Sequence, residues 1–172
     1  MNDQSWKAYL PENFSPDSRV WVYQSNRSFN EAELREINDQ LYQFYTQWVS
    51  HNRPVKGWAG IFFNQFIIIL ADDTMDRLCG SAVDNSIRLI KSLEHQYQVS
   101  LLNRMLLAFK IEDKIELLPL NQVSYALDQG KIKTDTLYFN NTITTKAALE
   151  ENWLIEIKNS WLGRKFLASS PA

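Results

Sequence analysis

The chain is short of several things, and each shortage closes a class of function. It has one cysteine in 172 residues. A single thiol cannot form an internal disulfide or supply a CxxC zinc site. Glycine and proline number five each, too few for a low-complexity or disordered chain. Charge is nearly balanced, at a formal −2 with pI near 5.7. The basic stripe expected of a polyanion binder is missing, so no nucleic-acid partner is expected. The longest apolar run, Phe66 to Ala71, is far below the ~20 residues of a membrane helix. The start, MNDQSWKAYLPENF, has neither the basic residues nor the apolar stretch of a signal peptide. These features lead to the expectation of a cytoplasmic protein with no membrane partner. The Asn-x-Ser/Thr triplets at Asn13, Asn26 and Asn140 then carry no glycosylation meaning.

What is present is core-forming material: 45% hydrophobic and 13% aromatic residues, enough for one domain of ordinary size. Residues 19–25, RVWVYQS, alternate and are rich in strand formers. Ser28 and Glu31 match a capping box. Leu34, Ile37, Leu41, Phe44 and Trp48 follow at helical spacing, which predicts a helix from about Asn30 to Ser50. Residues 55–71 read as two strands around a weak turn at Asn64-Gln65. A second helix is predicted over about 82–98, with Val83, Ile87, Ile90, Leu93 and Tyr97 on one face. Residues 104–111 and 114–118 read as a hairpin about Glu112-Asp113.

This order, β-α-β-β-α-β, predicts an α+β fold with a ferredoxin-like antiparallel sheet and both helices on one face. The predicted sheet domain covers residues 1–118. Residues 119–172, with a short helix ended by Gly130, a short strand and a helix capped at Thr144, read as a C-terminal extension packed on it in one structural unit.

The stretch DDTMDRLCGSAVDNSIRLIKSLE, residues 72–94, holds the chemistry-bearing candidates. Cys79 lies just before a helix start, where N–H groups and the dipole favour a thiolate. His95 is sixteen residues further along, roughly 24 Å away on a helix, so it cannot serve as base. His51 closes the first helix, and antiparallel helices would bring it to the same end of the domain. Cys79 with His51 is therefore the candidate catalytic pair. The plainer reading is a small buried cysteine, with Gly80 allowing a turn, Ser81 capping the helix and Asp84 in its first turn. A third idea is a small anion held by Arg77, Gly80 and Ser81, with Asp84 opposing it. Asp72, Asp73 and Asp76 lack the alternate acidic positions, central glycine and closing glutamate of an EF-hand. No metal and no cofactor are expected.

Trp21, Tyr23 and Phe109 would suit a base-stacking sheet, but RMLLAFKI has no RNP-type glycine or aromatic pair. Trp153, Trp161 and Phe166 are of the kind found at interface hot spots. They would serve either packing within the chain or a homodimer. The leading expectation is a non-enzymatic binding or interaction module. The alternatives are a thiol enzyme at Cys79 and a small-anion binder.

Three stretches carry a resemblance over nearly the whole chain: VWVYQSNRSFNEAE, CGSAVDNSIRLIKSLE and TDTLYFNNTITTKAALEENW. They resemble a family of small uncharacterised bacterial proteins often labelled "ABC transporter ATPase". The residues do not carry that label. The only Gly-Lys is Gly130-Lys131, with Tyr125 at the first glycine position of a phosphate loop and Ile132 where Ser or Thr is needed. No LSGGQ-type signature occurs. PLNQVSYALDQGKIKTDTLYF, in addition, is similar to GYF-like modules, some of which bind proline-rich peptides. The match ends near Phe139, and the Gly-Tyr-Phe triplet is absent.

Overall fold

A computed structural model describes residues 5–167. Helices and antiparallel sheets make an α+β protein, divided into two compact units. The first comprises the chain up to Leu102 together with Asn141–Glu150. The second comprises Asn103–Asn140 and the chain from Glu151 on. No helix among the described residues is long and apolar enough to cross a membrane.

In the first unit, strands β1 (Arg19–Gln24), β4 (Lys56–Phe62) and β5 (Phe66–Asp72) form an antiparallel sheet in the order β1-β5-β4. Phe66 to Ala71 are all 0% exposed, which explains the unbroken apolar run: a central strand covered on both faces has no polar side. Ile67, Ile69 and Ala71 join a core with Ile37 and Leu41 of α1 (Glu31–Gln47) and Ala82, Ile90 and Leu93 of α2 (Gly80–Tyr97). Each buried isoleucine or leucine among them stabilises the fold by about 1.5–3 kcal/mol, and each alanine by less. Tyr23 is buried in the same core and Trp21 packs against it, so neither is presented as a base-stacking platform.

The capping box forms two residues later than the sequence suggests. Asn30 is the N-cap, bonded reciprocally with Glu33. Ser28 instead turns its hydroxyl to Gln65 Oε1. Between α1 and β4 lies a small hairpin, β2 (Val49–Ser50) and β3 (Arg53–Pro54). Its first strand occupies residues that the periodicity assigns to the helix end.

A ferredoxin-like sheet needs β6 (Leu106–Ile111) as its fourth strand, and here the structure differs. β6 pairs with β7 (Lys114–Pro119) and β8 (Leu137–Phe139), giving a second antiparallel sheet in the order β7-β6-β8-β9, with β9 at Leu154–Glu156. The outer edge of β1 is occupied by a later segment. Val20 N–H donates to Thr144 O at 2.9 Å, Lys146 N–H to Ser18 O at 2.9 Å, and Arg19 bridges Thr145. That segment leads into α4 (Lys146–Asn152). β6 and β7, which the sequence reading groups with residues 1–118, therefore lie in the second unit. There they surround a core with Phe109, Val123, Tyr138, Ile157 and Leu162. Two short helices, α3 (Val123–Asp128) and α5 (Trp161–Phe166), complete that unit.

Candidate functional site: the Cys79 thiol

The small hairpin sets the site. His51 and Asn52 form its two-residue loop with φ of 52° and 60°, the left-handed pair of a type I′ turn. The preceding residue, Trp48, is 3% exposed, and its indole Nε1 donates to Ala82 O at 2.9 Å. That bond ties the hairpin to the first turn of α2. Gly57 lies beneath the indole, where a Cβ would come within 2.7 Å of Trp48 Cε3. Ser50, held in between, is 6% exposed.

Cys79 is the N-cap of α2, in extended conformation. Its N–H donates to Ser50 Oγ at 2.9 Å. The Ser50 O–H is thereby left to donate to the sulfur. Ser81 Oγ stands 3.0 Å from Cys79 Sγ. The main-chain N–H groups of Ala82 and His51 also reach the sulfur. Ser50 has the largest effect and Ser81 the next, followed by Ala82 and His51; desolvation acts the other way. Together they lower the thiol from its ordinary value near 9 to about 6. The cause is hydrogen bonding to the charged form, which favours it.

His51 does not close the first helix, which ends at Gln47; it approaches Cys79 from the hairpin loop. The part of His51 that reaches the sulfur is its main chain. Ser50 escapes sequence reasoning altogether, because a serine at the end of an amphipathic run carries no motif. His95 sits in the last turn of α2.

The expected capping scheme needs correction. The N-cap is Cys79 and not Ser81, and Asp84 falls just beyond the first turn, which holds no acidic residue. Gly80 is the first helical residue; a Cβ there would meet nothing within 4 Å. Arg77 lies on the loop before α2. It lines a cleft with Arg19, Asp17 and Asp73, where two carboxylates offset the two guanidinium groups.

Each of the three loop carboxylates has its own partner. Asp72 receives Lys56 Nζ at 3.0 Å, Thr74 Oγ1 at 2.7 Å and Ser15 N–H at 3.3 Å. Burial opposes its ionisation, but the bonds from Thr74, Lys56 and the Ser15 and Thr74 backbones outweigh burial and hold it down at about 2. Asp73 pairs with Arg19 at 3.5 Å and Asp76 with Arg53 at 3.9 Å. Among the described residues, no group of three or more His, Cys, Asp or Glu side chains converges to hold a metal ion.

The C-terminal aromatics are used within the second unit. Trp153 is 0% exposed and meets Phe139 edge-on at 5.3 Å. Trp161 Nε1 donates to Tyr138 Oη at 3.1 Å. Trp161 and Phe166, both partly buried, pack against the unit's core. Gly130, at φ 68°, and Lys131 follow a helix and lead toward a strand, the reverse of the strand–loop–helix order of a phosphate loop.

No family model, curated protein or solved structure matches the chain.

Proposed function

We propose that the first unit carries out thiol-dependent chemistry, with the Cys79 sulfur as nucleophile. The observation that carries this reading is the convergence of donors on one sulfur from two separate elements. Ser50 and His51 come from the hairpin, Ser81 and Ala82 from the start of α2. A thiol used only as core filling gains nothing from such a cradle. A nucleophile does, because the thiolate is the reactive form. No general base is needed when hydrogen bonds already keep the sulfur ionised near neutral pH, so His51 serves as a main-chain donor.

The fitting substrate class is a soft electrophile, such as a disulfide. The Cys79 thiolate attacks one sulfur, a mixed disulfide forms, and the other half leaves as a thiolate. With one cysteine in the chain, an external thiol would complete the exchange. The test is incubation with an aromatic disulfide at pH 6.5, read by intact mass. Rapid addition of a single half-disulfide to the folded wild type, and slow addition to the unfolded chain at the same pH, is expected. Equal rates in the two states would contradict the proposal.

A second reading belongs to the other unit, where helix α3, the left-handed Gly130 and strand β8 follow the run similar to GYF-like modules. Tyr125, 68% exposed on α3, is an aromatic available to a proline-rich peptide. Titration with such a peptide, with Tyr125→Ala as control, tests that reading; undisturbed spectra would end it.

A further inference from the structure

A cleft of about 430 Å³ runs between α1 and α2 of the first unit. Four carboxamides line it: Gln40, Gln43 and Gln47 from α1, and Asn85 from α2. The glutamines sit at steps of three and four, along one stripe of the helix. Gln40 is already engaged, donating to Tyr97 Oη at 3.0 Å. The side-chain amides of Gln43, Gln47 and Asn85 make no hydrogen bond among the described residues. Phe44 and Leu89 supply the apolar surface. Phe44 rests on Trp48 at 4.9 Å between ring centroids, and Trp48 is pinned by its bond to Ala82. The floor is therefore fixed before any ligand arrives, which lowers the cost of binding. None of the lining residues is acidic, basic or a histidine.

We propose that this cleft is a binding site for a neutral saccharide. An ion would lose hydration with no opposite charge to replace it. A purely apolar ligand would leave three carboxamides covered and unpaired, which is costly. A sugar ring answers both surfaces at once. Its hydroxyls donate and accept, matching carboxamides that also do both. Its C–H face can lie on Phe44 and Leu89. The volume falls within the span of small-molecule pockets, about 300–1,000 Å³. Aromatic-lined clefts that bind peptides take proline-rich segments, and proline has no N–H to offer these carboxamides. The proposal is independent of the thiol reading.

The test is a titration of the labelled full-length chain with maltose and with cellobiose, followed by NMR. Sodium phosphate and a capped trialanine peptide serve as controls. Saturable shifts of the Gln43, Gln47 and Asn85 side-chain amides, unchanged by added salt, are expected from at least one disaccharide. Gln43→Ala and Gln47→Ala, both at exposed positions, should each weaken binding about tenfold, the value of one hydrogen bond of ~1.4 kcal/mol. Absence of saturation with both sugars overturns the proposal. So does binding of phosphate or the peptide at these residues without binding of sugar, or full-strength binding by both variants.

Discussion

The Cys79 sulfur is surrounded by donors whose removal should be felt one at a time. Ser50→Ala takes away the largest contribution, so the thiol is expected to rise from about 6 toward 9 in an alkylation titration, further than in Ser81→Ala. His51→Asn should leave it near 6, because the contribution is from the main chain and Asn tolerates the left-handed φ of 52°. A large rise in that variant would instead assign the effect to the imidazole. The sign of the stability dependence follows from the depressed pKa. The contribution is fully present above pH 9, shrinks as pH falls, and is gone below about 6. Asp72 behaves alike at lower pH, its contribution vanishing as pH falls from about 4 to 2. Lys56→Met should raise the Asp72 pKa and flatten that dependence, read from urea midpoints across this range.

Two glycines mark where elements approach closely. At Gly57 a Cβ would strike the buried Trp48 indole at 2.7 Å; at Gly163 it would strike the carbonyl oxygens of Lys158 and Ile157 at 2.6 and 2.7 Å. Gly57→Ala and Gly163→Ala should each cost about 1–3 kcal/mol in denaturant unfolding, as overpacking does. Gly57→Ala should also raise the thiol pKa, since Trp48 holds the hairpin that carries Ser50. Gly80→Ala, with open space around its Cβ, should be neutral or stabilise by about 0.4–1 kcal/mol. Long periodic elements were legible from the residues: α1 and α2 announce themselves by apolar spacing, and β5 by its buried run. The β2–β3 hairpin was not, because two-residue strands leave no periodic trace and Val49 and Ser50 continue the helical pattern. The capping box was legible in kind but not in place, since both Ser28-x-x-Glu31 and Asn30-x-x-Glu33 satisfy it. Helix order places Cys79 and His51 at one end of the domain, but the turn positions both Ser50 and the His51 main chain.

At the scale of the whole molecule, the path of the chain decides the architecture. Residues 141–150 return to the first unit and close the outer edge of β1, which would otherwise present unpaired groups. Pairing between residues so far apart is set by which edges are open, and a single sequence does not reveal that. The amides of Val20, Lys146 and Ala147, all bonded across this seam, should exchange slowly with solvent, alongside those of β5. Fast exchange at these three would mean that the edge is not closed. The ionisation of the thiol is tested most directly by the pH dependence of Cys79 alkylation by iodoacetamide in the folded protein, beside the same chain in denaturant. The folded protein should give a rate that rises through a midpoint near 6 and levels off by neutral pH, while the unfolded chain titrates near the ordinary cysteine value. A folded midpoint at or above that of the unfolded chain, or no reaction until unfolding, would contradict the account.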